Sequence, residues 1–459
     1  VRLRCRLFVV VLIAFLASAC RWAGSNPSHL LLITVDTLRS DHLGCYGNPL
    51  GLTPNIDRLA ERSTLFTTVY AAAPSTFPSV TAILTGRYPE AVGVQNNYDR
   101  LGGDVKTLGA YLRSRGWKTG AVVSNFVLGE HSGLGLHFDL YDATFPQMEA
   151  VRRRPERIAK DTTDAALAML DRLTGGGSGP VFLWVHFQDP HGPYQPPGNR
   201  RARFLERERA LPDGRRKLRR SPDVRGMGGI PTYQFETGHR EVAYYRSGYD
   251  GEVSYMDEEV GRLLEGLSAR GLMDSTVIAF TADHGEGLGE GDYWFAHGEY
   301  LTEPLLRVPL LVAAPGRPPA RRDDQASLVD LSPTLLALLG MEPPEGQAGE
   351  NLFAAGADRR ARTAYFMTRP QESTVPRFGL ARDGYTYVVS LEGGGEKERL
   401  IRRGNDEENL LAAEKGLSRE LRAELVSLRG RFPREVHRTT REIGPEAREK
   451  LRSLGYVGP

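Results

Sequence analysis

Cysteine is nearly absent from this chain of 459 residues, which has only three. Cys5 and Cys20 lie close to the N-terminus, so Cys45 stands alone in the body of the chain. One thiol cannot form a disulfide framework, whatever the redox compartment. In its setting, Leu-Gly-Cys-Tyr-Gly, Cys45 reads as a small packed residue. Charge of one sign is also lacking. A formal net charge of +2 gives no global pull on nucleic acid, so no nucleic-acid partner is expected and partners must be sought in local patches. No long hydrophobic run is seen beyond the N-terminus, and no internal repeat is evident. What is present is ordinary for a globular protein: 40% hydrophobic and 25% charged residues, enough to bury one large domain and a smaller one.

The N-terminus carries Arg2, Arg4 and Arg6, then the apolar run 7–16, then Ala17-Ser18-Ala19-Cys20. A positive segment, a short apolar core and small residues make residues 1–19 a signal peptide. The small residues before Cys20 resemble a bacterial lipobox, although Ala17 stands where Leu is usual. The resemblance implies a lipid-modified Cys20. Such a chain is expected at the cell envelope, periplasmic or on the outer surface, held to a membrane through its N-terminal lipid.

Beyond a short polar tether, residues 30–35 are continuously apolar and partly β-branched. They read as a strand buried on both faces of a parallel sheet, with Asp36 at its C-terminal end. Further strands are expected at 64–71, 118–124, 181–185, 276–280 and 309–313. Helices are expected at 53–61, 106–115, 160–173, 252–268 and 331–339. On the 160–173 helix, Ala165, Ala168, Met169 and Leu173 form the apolar side. Alternating strands and helices predict an α/β fold with a mostly parallel central sheet flanked by helices. Polar clusters follow the strands, at the edge where open α/β sheets bind ligands. Residues 29–345 form the expected catalytic domain. Residues 360–459 form a small C-terminal α+β subdomain, after a Pro-, Gly- and Ala-rich boundary. Residues 198–225, rich in Lys and Arg, read as an exposed insertion whose sharper interpretation is a basic lip for an anionic polymer or lipid head groups.

Residues 74–87 read Pro-Ser-Thr-Phe-Pro-Ser-Val-Thr-Ala-Ile-Leu-Thr-Gly-Arg. Pro78 suits the first turn of a helix, and Gly86 suits its end. A hydroxyl at a helix N-terminus faces unpaired N–H groups and a positive dipole end, a setting that favours attack on an anionic ester. The stretch resembles the sulfatase signature of the alkaline-phosphatase superfamily, with Pro78, Ser79, Leu84, Thr85, Gly86 and Arg87 in register. Thr76 falls on the nucleophile, where sulfatases carry a Cys or Ser that becomes formylglycine. Threonine cannot become that aldehyde, and Val80 replaces the signature Arg. Thr76 therefore looks more like the phosphonate or phosphate ester hydrolases and phospho-group transferases of the same superfamily.

The resemblance covers nearly all of the chain beyond its N-terminal segment and implies an alkaline-phosphatase-like fold. It places the metal ligands at Asp36, Thr76, Asp283 and His284. Thr37 stands where typical sulfatases carry a second Asp, and His284 where they carry Asn, which moves preference from Ca²⁺ towards Mn²⁺ or Zn²⁺. One divalent ion (Mn, Zn or Ca) is expected, with Asp189, His191 and His297 available for a second. His191 and His297 are expected to contact the anion or protonate the leaving group. His186 and Arg39 are weaker substrate contacts. The expected activity is metal-dependent hydrolysis of sulfate or phosphate/phosphonate esters. The alternative is an envelope phospho-group transferase of the phosphoethanolamine or glycerophosphate type.

Overall fold

The computed structural model describes residues 27–432, except 149–154, 178, 224, 355–361, 371–374 and 405–407. The expected signal peptide, Cys20 and most of the tether lie outside the described residues. Among those described, no helix is long and apolar enough to cross a membrane.

Eight strands form the central sheet: β1 (His29–Val35), β2 (Thr64–Tyr70), β3 (Lys118–Val123), β4 (Leu140–Asp142), β5 (Val181–Phe187), β6 (Thr276–Ala282), β7 (Leu310–Ala313) and β8 (Ala320–Ser327). Their order is β8-β2-β7-β6-β1-β5-β3-β4. Only β7 runs antiparallel to its neighbours. β1, β5 and β6 are buried along almost their whole length, because helices cover both faces and leave no polar side to solvate. The register then positions the site. Val35 pairs with Ala282 on one side and Phe187 on the other, so the residues that follow all leave the sheet at one edge.

The principal helices are α1 (Pro54–Ala60), α2 (Thr76–Thr85), α3 (Leu108–Arg113), α4 (Ala159–Thr174), α5 (Arg200–Ala210), α6 (Val242–Ala269), α7 (Leu331–Leu338) and α8 (Lys415–Arg429). α2 is buried at every residue. Gly86 ends it with φ of 63°, a left-handed conformation that costs glycine nothing. A second, antiparallel sheet follows: β9 (Ala364–Thr368), β10 (Arg377–Arg382), β11 (Tyr385–Glu392) and β12 (Gly395–Arg402), with α8 packed on it.

Three expectations need correction. Helix α6 begins at Val242, not 252. Gly248, Gly251 and three tyrosines blur the apolar period there, and packing supplies what propensity does not. On α4 the buried stripe is Ala159, Thr162, Thr163, Ala166, Met169, Leu170 and Leu173, whereas Ala168 faces solvent. Alanine tolerates either side of a helix and is a poor guide to its orientation. The basic insertion is not simply a solvated loop. Residues 200–210 are helix α5, and Phe204 and Glu208 are buried. Arg201 is spent on the carbonyls of Tyr194 and Tyr244.

Candidate active site

Asp36 follows β1 and Asp283 follows β6, so the sheet register brings the two carboxylates side by side. The loop after β2 delivers Thr76 as the first residue of α2, behind an extended Ser75. The Ser79 hydroxyl donates to the Asp283 carbonyl at 2.6 Å, which pins the N-terminal turn of the helix to the sheet edge. Gly285 is needed for the same close packing: its N–H donates to the Leu305 carbonyl at 2.9 Å, and a Cβ there would collide with the Pro304 carbonyl.

Each acidic or basic group at this corner is tied down by one atom and presents the other inward. Asp36 Oδ2 accepts from Asn125 Nδ2 at 2.5 Å, while Oδ1 is buried without a hydrogen-bond partner. Asp283 Oδ1 accepts the backbone N–H groups of His284, at 2.7 Å, and Thr37, at 3.3 Å, while Oδ2 is likewise unpartnered. His284 Nδ1 lies 2.9 Å from the Gly285 carbonyl. It donates there, which leaves a lone pair on Nε2. That Nε2 is 3.6 Å from Asp36 Oδ1, 3.7 Å from Asp283 Oδ2 and 3.4 Å from Thr76 Oγ1. The ligand-capable atoms of Asp36, Asp283 and His284 lie within 4.8 Å of one another, all in buried residues. Two buried carboxylate oxygens and an imidazole lone pair facing each other repel unless a cation sits between them, so the donor set fits a divalent ion.

The electrostatics agree. Burial, then the nearby Asp36 charge, push Asp283 well above the ordinary carboxyl range. Burial acts the same way on Asp36, but His191, His186 and His284 outweigh it and hold that carboxyl below its usual value. Burial, followed by His297, holds the His284 imidazole down to about 3, so it stays neutral as a ligand must.

Two histidines stand at the rim. The His297 ring lies 4.6 Å from that of His284 and 5.0 Å from that of His191, centroid to centroid. His297 Nδ1 is 3.2 Å from Glu286 Oε1. Glu286 is wholly buried and takes a second hydrogen bond, at 3.0 Å, from the Tyr194 hydroxyl. His191 Nδ1 lies 2.8 Å from the Gly192 carbonyl.

Other expectations are redirected. Arg39 is not placed to meet an anion. Its guanidinium forms a bidentate pair with Asp41, at 2.9 and 2.7 Å, and reaches Glu290 at 2.6 Å and the Glu286 carbonyl at 3.2 Å. His186 is wholly buried behind Asp36, its Nδ1 on Thr34 Oγ1 at 2.8 Å and its Nε2 3.7 Å from Asp36 Oδ2. It backs the carboxylate rather than facing the mouth. Asp189 does not join His191 and His297 around a second ion. Its carboxyl is pushed up to about 7 by burial, hydrogen-bonds towards the backbone of Ala159, and sits near Glu259. Among the described residues only the Asp36, Asp283 and His284 group has metal-holding geometry.

Sequence reasoning passed over Asn125, Glu286, Tyr194 and Tyr249. Asn125 follows β3 at the same sheet edge that singled out Asp36. Glu286 lies in the run Ala282-Asp283-His284-Gly285-Glu286. Tyr249 carried no local signal. Its hydroxyl donates to the Thr37 carbonyl at 2.8 Å and accepts from the Arg39 N–H at 3.0 Å. This clamps a turn in which Thr37 has φ of 57°, a strained value for a β-branched residue.

A mostly parallel sheet with these groups gathered at its C-terminal edge defines an ester hydrolase of the alkaline-phosphatase-like class. The chain belongs to the sulfatase family, whose model matches residues 28–341. It is 28% identical to human iduronate 2-sulfatase over 410 residues, covering 72% of this chain and 73% of the relative. Among solved structures it resembles the phosphonate monoester hydrolase of Agrobacterium radiobacter (TM-score 0.69, 20% identity, 89% of this chain and 96% of the other). It also resembles a protein solved with its substrate D-glucosamine-2-N,6-O-disulfate (TM-score 0.72, 19% identity, 89% and 98%).

Proposed function

We propose that the chain hydrolyses sulfate or phosphate/phosphonate esters with Thr76 as nucleophile and a divalent cation held by Asp36, Thr76, Asp283 and His284. The observation that carries this reading is the convergence of Thr76 Oγ1 and His284 Nε2, 3.4 Å apart, with the two unpartnered carboxylate oxygens. A cation bound there would lower the pKa of the Thr76 hydroxyl and polarise a non-bridging ester oxygen, with the His284 imidazole favouring Mn²⁺ or Zn²⁺ over Ca²⁺.

The chain's own residues supply the remainder. Thr76, at the start of α2, gives up its lowered-pKa hydroxyl proton to solvent and attacks in line; the bond from phosphorus or sulfur to the ester oxygen breaks, and that oxygen leaves with a proton from His297. Glu286 accepts from Nδ1 of His297 and so reserves Nε2 for that proton. His191 lines the same rim as a contact for the anion. Water then attacks the phosphorus or sulfur of the phospho- or sulfo-threonine, its proton passes to His297, and the bond to Thr76 Oγ1 breaks to free the enzyme and the inorganic or phosphonate product. The absence of an aldehyde precursor at position 76 makes this direct displacement the fitting route.

The test is metal analysis of purified protein combined with turnover of aryl phosphodiester, phosphonate and sulfate esters. Thr76→Ala is expected to lower turnover at least ~10³-fold, within the range typical for loss of a nucleophile, while the protein stays folded and Asp36, Asp283 and His284 still bind metal. A Thr76→Ala protein with near wild-type turnover would overturn the assignment.

A further inference from the structure

The segment 200–240 carries twelve lysines and arginines against five acidic residues, a net +7 in a chain whose total is +2. The acids are spent on particular cations or buried. Glu206 pairs with Arg209, Asp213 with Arg246, Asp223 with Arg225 and Glu236 with Arg201, while Glu208 is buried. Arg203, Arg207, Arg215, Lys217 and Arg220 are exposed and have no ion-pair partner among the described residues. Arg203 and Arg207 are one helical turn apart on the outer side of α5. Arg215 and Lys217 follow on the loop after it, and Arg220 on the two-residue strand Arg219–Arg220.

Two large apolar side chains share this surface. Leu211 and Met227 are each 42% exposed, flanking the stretch that holds Arg215, Lys217 and Arg220. The surface is also anchored to the site's rim. Gly228 N–H donates to the Asp292 carbonyl at 2.8 Å and Trp294 N–H to the Gly226 carbonyl at 2.9 Å. The Tyr233 hydroxyl donates to the Phe295 carbonyl at 2.9 Å, two residues before His297, and the Tyr233 ring lies 6.4 Å from that of His191.

We infer that this face docks on an anionic phospholipid surface and sets the mouth of the site against lipid head groups. Unpaired cations recognise the phosphates, and Leu211 and Met227 enter the boundary with the acyl chains. A soluble polyanion would use the cations but gain nothing from the exposed apolar pair, which is why the bilayer is favoured. The inference concerns binding and stands whether or not Thr76 is the nucleophile.

Co-sedimentation of the full chain with phosphatidylcholine vesicles, with and without phosphatidylglycerol, tests it. Neutralising one cation near such a surface costs roughly five-fold in partitioning, so Arg215→Gln/Lys217→Gln/Arg220→Gln should lose about 100-fold on anionic vesicles. Binding to neutral vesicles, which reports residues 1–28, and turnover of a soluble aryl ester should not change. Leu211→Ser/Met227→Ser should weaken vesicle binding and leave binding to dextran sulfate intact. Equal partitioning of the triple variant and the parent would overturn the inference. So would a Leu211→Ser/Met227→Ser protein that binds vesicles like the parent while the triple variant loses dextran sulfate alone, a result that would assign the face to a polymer.

Discussion

Glu286 shows how a single side chain can matter without touching a substrate. Wholly buried, it accepts from His297 and from Tyr194, whose own phenol burial pushes far above its ordinary range, so Tyr194 keeps its proton and remains a donor. Glu286→Gln leaves the packing but removes the carboxylate that fixes the His297 tautomer. Turnover is expected to fall about 10–100-fold for alkyl esters, whose leaving groups need a proton, and far less for nitrophenyl esters, which leave unaided. A uniform loss across both would mean that Glu286 serves stability alone. Asp36, Thr76, Asp283 and His284 were legible from the sequence because each opens or follows a recognisable run. Arg39 misled for a physical reason: a cation three residues past a ligand looks available until its two carboxylate partners, one distant in sequence, are seen.

At the scale of elements, the α5–α6 contact is the feature least legible in the sequence. Eleven residues of α5 contain so many charges that no apolar stripe survives, yet Phe204 and Glu208 are buried against α6. Burial, then the Asp250 carboxylate, push Glu208 up to about 7, with Arg246, His42 and Arg207 opposing. The folded chain keeps that proton to near pH 7, whereas an unfolded glutamate releases it near the ordinary carboxyl value. Stability from this group is fully present below that value and is lost as pH rises towards 7. Glu208→Gln is therefore expected to raise the melting temperature by roughly 1–3 °C at pH 8 and to change it little at pH 4.5. Calorimetry at the two pH values decides; an equal effect at both would show that Glu208 is not protonated in the fold.

Over the whole molecule, the second sheet is not an appendage. Met367 N–H donates to the Ala72 carbonyl at 3.0 Å on the loop that leads to Thr76, and Thr368 Oγ1 to the Gly298 carbonyl at 2.5 Å beside His297. Ala72, Ala82 of α2, Tyr88 and Val329 share one buried cluster with Tyr365, Met367, Phe378 and Leu380. Loss of several fully buried aromatic side chains costs about 3–5 kcal/mol each, which a marginally stable domain cannot absorb. A chain ending at residue 354 is expected to aggregate or lose its cooperative melting transition, and to show no turnover. A monomeric, cooperatively melting truncation would show that the first sheet folds alone.

The sequence by itself determined the α/β class and the sheet edge where polar residues gather, because buried strands and their flanking polar residues leave local patterns, and its resemblance to a known signature singled out Asp36, Thr76, Asp283 and His284 as candidates, which the fold brings together. Only the tertiary structure decided the roles of Asn125, Tyr249, Glu286 and Arg39, and the docking of α5. Each of these depends on partners from distant parts of the chain, brought into contact by strand register and helix packing, and no local pattern encodes such a pairing.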